Sequence, residues 1–182
     1  YGSLAGTGKG HLTDRAVEDV LGKDRTDIIF DAKTGDLPHP NTMDIMAIKD
    51  GKVISSGRNM REGKKNALLH AELVAIDRGC KALGAWRLED CTLYVTMEPC
   101  PMCAGAIINS RIKRVVFGCY DKKAGVYGSV MDLQEYLFNH YYDVEGGVME
   151  AECAKLLSDF FAALRVKKEA EKAAKKNEMN LL

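Results

Sequence analysis

No window of this sequence approaches the length and apolarity of a membrane-spanning helix, and the opening stretch, YGSLAGTGKG, has no apolar core of signal-peptide length. A soluble, cytoplasmic chain is expected. Charge of one sign is lacking too. Lys plus Arg and Asp plus Glu come to 26 each, which leaves no global basic bias toward nucleic acid. No internal repeat is present. What the composition does supply, 46% hydrophobic and 29% charged residues in a chain of 182, suffices for one buried core and argues against disorder.

Cysteine is better represented, at positions 80, 91, 100, 103, 119 and 153. In a reducing compartment a close pair is more often metal-binding or catalytic than part of a disulfide framework. The close pair here is Cys100 and Cys103, in the stretch EPCPMCAG. There is no second Cys-x-x-Cys, so a closed four-cysteine structural site is not expected. A redox dithiol and a zinc half-site remain as readings of the pair alone.

Along the chain, residues 1–41 give the weakest pattern, with Thr13 a candidate cap for a helix from Asp14 toward Leu21 and TGDLPHPN a connector. The signals then sharpen. Strands at Ile45–Lys49 and Lys52–Ser56 flank Asp50-Gly51, a favoured two-residue hairpin turn. Apolar residues at helical spacing (Leu69, Leu73, Ile76, Cys80, Leu83) predict a helix that stops at Gly84. A strand at Thr92–Met97, a short helix at Pro101–Ser110 and a strand at Arg114–Cys119 follow. Residues 120–147 read as loops with a short strand near Val144, and a long helix runs from Glu150 into a basic tail. Helices between successive strands favour parallel pairing through crossovers, hence an α/β sandwich whose mixed sheet begins with an antiparallel hairpin.

A strand that ends at Glu98 and feeds a helix near Pro101 puts both cysteines in the first helical turn, where residues three apart share a face. The helix N-terminus favours thiolates. Of the four histidines, His11 and His39 sit in weakly patterned segments and His140 reads as a packed or surface loop residue. His70 opens the helix of HAELVAI, with Glu72 two residues on. Residues two apart inside a helix point roughly 200° away from each other, so the two reach one site only if His70 precedes the first helical turn. Taken alone, His-Ala-Glu reads as a capping histidine and a solvated glutamate. Together with the cysteines it reads differently. One His and two Cys are three ligands for a tetrahedral ion, the form of a zinc site with one position open for catalysis. Glu72 would then shuttle the proton of a water activated there. His70-x-Glu72 followed by Pro99-Cys100-x-x-Cys103 is the signature of zinc-dependent nucleobase deaminases.

Over residues 43–168 the sequence resembles the bacterial tRNA-specific adenosine deaminases. The stretches that carry the likeness are KDGKVISSGRN, HAELVAI, LYVTMEPCPMCAGAIINSRIKRVVFG, GSVMDL and ECAKLLSDFF. The last two go beyond the metal motif and select the tRNA branch. The resemblance implies a three-layer α/β/α sandwich with a central mixed sheet, and a homodimer whose subunits both shape the site for a tRNA anticodon stem-loop. It implies one Zn2+ per subunit held by His70, Cys100 and Cys103, with Glu72 as general acid and base. It further implies that Asn59 and the backbone N–H of Ala71 hold the flipped base, that Asp121 lies beside the target nucleotide, and that Phe161 and the following basic helix meet the anticodon loop. On the residues alone, Asn59 reads as a turn former after Gly57 and Phe160 and Phe161 as core, one of the two left available. The implied reaction is hydrolytic deamination of the wobble adenosine to inosine, with the base extruded from a single-stranded loop.

The chain departs from the family pattern in three places. Thr42-Met43-Asp44-Ile45 stands where Pro-Val-Gly-Ala is usual, Asn66-Ala67-Leu68-Leu69 where Asp-Pro-Thr-Ala is usual, and residues 1–41 do not show the expected amphipathic helix. The expected organisation is thus an N-terminal segment, 1–41, and a deaminase domain, 42–182, ending in the basic run Arg165–Lys176. That run reads equally as a solvated helix end and as a phosphate-contacting tail. Two rivals remain: a guanine, cytosine or nucleoside deaminase of the same superfamily, and an inactive zinc-stabilised RNA-binding relative. Retention of Glu72 speaks against the second.

Overall fold

The computed structural model describes residues 45–179, with side chains described over 50–173. The expected helix after Thr13, the connector at 34–41 and the departures at Thr42, Met43 and Asp44 lie outside the described residues.

The first hairpin forms where the sequence places it. Strand β1 (Ile45–Lys49) turns at Asp50 and Gly51 into β2 (Lys52–Gly57). Both turn residues are left-handed, with φ of 50° and 74°, the geometry whose twist matches paired strands and for which Asp-Gly is suited. A bulge shifts the register between Ala47 paired with Ser55 and Ile48 paired with Val53. A short helix, α1 (Arg61–Lys64), precedes α2 (Ala71–Leu83), which ends on Gly84 at φ 63°. Strand β3 (Thr92–Met97), helix α3 (Pro101–Ser110) and strand β4 (Arg114–Cys119) follow with short connections, and β5 (Asp143–Glu145) and the long α4 (Glu150–Met179) come last among the described elements.

The five strands are ordered β2-β1-β3-β4-β5. β1 pairs antiparallel with both neighbours, while β3, β4 and β5 are mutually parallel. Parallel pairing through a helix holds for β3-α3-β4. It does not hold for β2-α2-β3: these two strands run the same way, but β1 lies between them. The connection from β4 to β5 is loop, as expected: residues 120–142 contain a 3-10 turn at Leu133–Glu135 and no α-helix, and a short strand follows at Asp143–Glu145. That connection is pinned by contacts in place of a helix. Tyr127 and Tyr142 share a buried hydroxyl hydrogen bond of 2.8 Å, Arg111 Nη1 donates to the Asn139 carbonyl, and His140 stacks on Tyr142 with Nε2 2.7 Å from the Ile112 carbonyl.

Strand alternation separates two layers. Leu93 and Val95 of β3 and Val115 and Phe117 of β4 pack with Ala75 and Ile76 of α2 and Ala104 and Ile107 of α3 into one core. Gly118, on the other face of β4, lies against Cys153 of α4. The result is a three-layer α/β/α sandwich with a central mixed sheet.

One close approach fixes where α2 begins. A Cβ on Gly57, at the end of β2, would lie 2.3 Å from the Ala71 carbonyl oxygen and 2.5 Å from the Ala75 backbone nitrogen. Ser55 adds a buried bond from Oγ to the Ala75 carbonyl at 2.7 Å. Both contacts involve rigid backbone, so Gly57→Ala is expected to destabilise the fold by about 1–3 kcal/mol. Urea unfolding should show a lower midpoint at unchanged slope; an unmoved midpoint would mean that β2 and α2 are not in this close contact.

Candidate active site

Two helix N-termini build the site. His70 is the N-cap of α2, with extended backbone (φ −68°, ψ 155°), and Cys100 is the N-cap of α3 (φ −81°, ψ 171°). Because His70 stands before the helix, its ring and the carboxyl of Glu72 can serve one place despite their offset of two. Pro101 occupies the first helical position of α3, where a missing N–H costs nothing, and Cys103 follows within that turn.

The His70 Nδ1 atom lies 3.7 Å from Cys100 Sγ and 3.6 Å from Cys103 Sγ. All three potential ligand atoms fall within 4.8 Å of one another. Zinc bonds of about 2.3 Å to sulfur and about 2.0–2.1 Å to nitrogen, at tetrahedral angles, separate such ligands by about 3.6 Å. The residues fit a zinc ion in spacing and in donor chemistry, and among the described residues no other group of His, Cys, Asp and Glu does so.

Electrostatics agree with that use. The Cys100 thiol is pushed down to about 5, chiefly by the hydrogen bond from Cys103, with the backbone N–H groups of Cys103 and Met102 and the nearby His70 assisting against burial. Cys103 is pushed up for the complementary reasons: it holds that hydrogen bond, it is buried, and it lies near the Glu72 charge. A divalent cation between the sulfurs is what allows both to ionise together. Glu72 is itself buried, at 9% exposure. Burial raises its carboxyl above the ordinary value; its own backbone N–H, His70 and Cys103 pull it back, and Cys100 adds to the rise.

The other expected residues are placed less uniformly. The backbone N–H of Ala71 is at the first position of α2, where a helix offers it no internal acceptor. Asn59 is exposed, and its Oδ1 accepts from the Arg61 N–H at 3.0 Å, which is the turn-forming role. Its neighbour Met60 donates its N–H to the Leu69 carbonyl at 2.9 Å, which holds the Asn59 segment beside His70. Asp121 is half-buried, with Oδ1 accepting from the Lys123 N–H. Phe161 lies across the sheet on α4, exposed and edge-on to the half-buried Phe160, with ring centroids 5.1 Å apart. Among the departures, Asn66 closes a turn by accepting from the Leu68 N–H, and the Leu68 side chain is exposed, two residues before His70 in the chain.

One buried residue escaped the sequence reading. Glu98, at 2% exposure, accepts from the backbone N–H groups of Asp121, Tyr127 and Ser129 and from the Ser129 hydroxyl. A glutamate at the end of a strand carries no periodic signal; only the prolines and cysteine after it mark the position.

A model of the MafB19-like deaminases matches residues 36–165. A tRNA-specific adenosine deaminase of Bacillus subtilis (strain 168) is 54% identical over 129 residues, which cover 70% of this chain and 78% of that one. Another, from Haemophilus influenzae, is 44% identical over 126 residues, 69% of this chain and 73% of that one. The chain belongs to the tRNA-specific adenosine deaminase family. Among solved structures, one from a study of A-to-I editing by tRNA:A34 deaminases at the wobble position of transfer RNA superposes with a TM-score of 0.57 at 35% identity, covering 62% of this chain and 83% of that one. A guanine deaminase from Nitrosomonas europaea shares the fold at a TM-score of 0.58 and 21% identity, over 65% of this chain and 72% of that one.

The fit to zinc has a direct consequence for this deaminase. Zinc added to chelator-stripped protein at about a hundred times its Kd should contribute about 2.7 kcal/mol, a rise in Tm of roughly 5–10 °C. His70→Ala should abolish the rise. A thermal scan in which the variant gains as much as the parent would place the metal elsewhere.

Proposed function

We propose that this chain catalyses hydrolytic deamination of adenosine to inosine at the wobble position of a tRNA. The observation that carries the reading is a buried carboxylate, Glu72, beside three converging candidate metal ligands, the one such group among the described residues. Three protein ligands leave a tetrahedral ion one position for water; a purely structural site has four and no use for a proton carrier. His70, Cys100 and Cys103 would hold one Zn2+ per subunit, which when bound would acidify a water toward neutrality.

The chain's own residues do the rest. Glu72 would take one proton of the attacking water and give it to a ring nitrogen as the water oxygen bonds to C6, then carry the remaining hydroxyl proton to the amino group, which leaves as ammonia as the C6–N bond breaks, a role suited to a carboxyl whose proton affinity burial has raised. The Ala71 N–H and Asn59 hold the edge of the extruded base. Asp121 borders the nucleotide. Phe161 and the basic run after it meet the anticodon loop, where Arg165, Lys167, Lys168 and Lys172 are all exposed. Residues 42–182 serve as the deaminase domain of a cytoplasmic homodimer, with 1–41 preceding it. Support for the RNA substrate comes from the family and from the exposed aromatic and basic face of α4, which a small-base deaminase does not need.

The deciding assay uses an anticodon stem-loop with adenosine at the wobble position, read as inosine. The parent should convert it and leave free adenosine untouched, because contacts remote from the reacting base supply much of the binding energy. Glu72→Ala should lose at least about 10²–10⁴-fold in rate with zinc retained. Residual turnover near the parental rate would remove Glu72 from the mechanism, and conversion of guanine or cytosine instead would identify a small-base deaminase. Lys167→Glu combined with Lys168→Glu should weaken stem-loop binding and flatten its salt dependence by about 1.4 in log–log slope, at about 0.7 per phosphate contact. An unchanged slope would leave α4 a solvated helix.

A further inference from the structure

The reaction assigned above does not use Glu98, although it is among the most buried charged side chains described. Its two oxygens divide four donors between them. Oε1 accepts from the Tyr127 N–H at 2.7 Å and the Ser129 N–H at 3.2 Å; Oε2 accepts from the Asp121 N–H at 3.0 Å and from the Ser129 hydroxyl. The loop it gathers is closed further by Gly125 N–H to the Asp121 carbonyl at 2.8 Å and by Val126 N–H to the Pro99 carbonyl at 3.2 Å. Gly125 makes room for the carboxylate, since a Cβ there would lie 2.1 Å from Oε2.

The position of this clamp matters. Glu98 and Pro99 form the turn that delivers Cys100, so one short segment carries a metal ligand at one end and the anchor of the 121–129 loop at the other. We propose that Glu98 is a positioning residue that registers the loop bearing Asp121 against the metal-ligand turn, and so sets how tightly the RNA substrate is held. The inference rests on the proposed reaction. Three of the four partners are backbone N–H groups that can only donate, so both oxygens must accept. An amide cannot replace the carboxylate, because its NH2 would face a backbone N–H on either side. A buried donor left unpaired loses the bond and keeps the cost of its burial.

The test compares the full-length parent with Glu98→Gln. The amides of Asp121, Tyr127 and Ser129 should exchange with deuterium at least about tenfold faster in the variant, zinc content should stay at the parental level, and KM for the stem-loop should rise about tenfold with kcat within about threefold. Unchanged exchange and KM would overturn the proposal. Loss of zinc with a fall in kcat at unchanged KM would overturn it too, by making Glu98 a support of the metal turn alone. Should Glu98→Gln fail to fold, Ser129→Ala removes one donor only and should move exchange and KM the same way with smaller amplitude; no movement there counts against the clamp. A parent inactive on the stem-loop would sink the reaction assignment, while amide exchange would still decide whether the clamp exists.

Discussion

Two helices that begin at the same place are the constraint on which this structure depends. The N-termini of α2 and α3 are brought together so that His70, Cys100 and Cys103 converge, with both cap residues in extended backbone. Two such ends repel, because each carries partial positive charge and unpaired N–H groups. The site answers that repulsion with what helix ends prefer: thiolate at Cys100 and carboxyl at Glu72. The same arrangement that favours anionic ligands therefore also helps the helices to coexist. A neutral lining would leave the ends unfavourably close.

Convergence of this kind makes demands on the sheet. β3 and β4 hold α3 through the parallel crossover, and β2 holds α2 through the contact of Gly57 with the Ala71 and Ala75 backbone. Inserting β1 between β2 and β3 sets the spacing of the two helices along the core face. The far layer, α4, takes no part in the ligand cluster. Its first half packs on β4 through Cys153, and residues 165–173 are exposed. The chemistry and the anticodon-loop contact proposed for α4 thus occupy different layers, so that changes on α4 need not disturb the ligand cluster.

The parts legible in the sequence are those whose cause is local. The Asp50-Gly51 turn declares its own dihedral angles, α2 announces itself by period and by Gly84, and the candidate metal ligands stand out because two thiols and a histidine at helix starts have a chemistry that fits together. Elementary helix geometry required His70 to precede the first turn if it and Glu72 were to share a site, and His70 is the N-cap. What was not legible depends on distant partners. The place of β1 in the strand order is a pairing decision between segments far apart in sequence. Residues 120–142 read as loop and are loop, but what orders them, the Tyr127–Tyr142 bond and Glu98, is non-local. Asn59 shows the intermediate case: its turn-forming bond to Arg61 was the plain reading of the residues and is present, and any contact with a base must use what that bond leaves over.

The difference between a metal centre and a specific enzyme lies in that non-local part. A guanine deaminase shares this fold at low identity, so the fold by itself does not name a substrate. Selectivity must come from what surrounds the ion, and most of that surround is loop. Loops place side chains poorly unless something buried holds them. In this chain the holding is done by charge-assisted hydrogen bonds from backbone N–H groups to a buried carboxylate, a device that resists displacement by side-chain packing yet tolerates wide variation in the exposed residues it carries. Lys122 and Lys123 are exposed on the loop, between the anchored Asp121 and Gly125. Substitution at such positions can retune the substrate without touching the anchor, whereas any change at the anchor alters them all together.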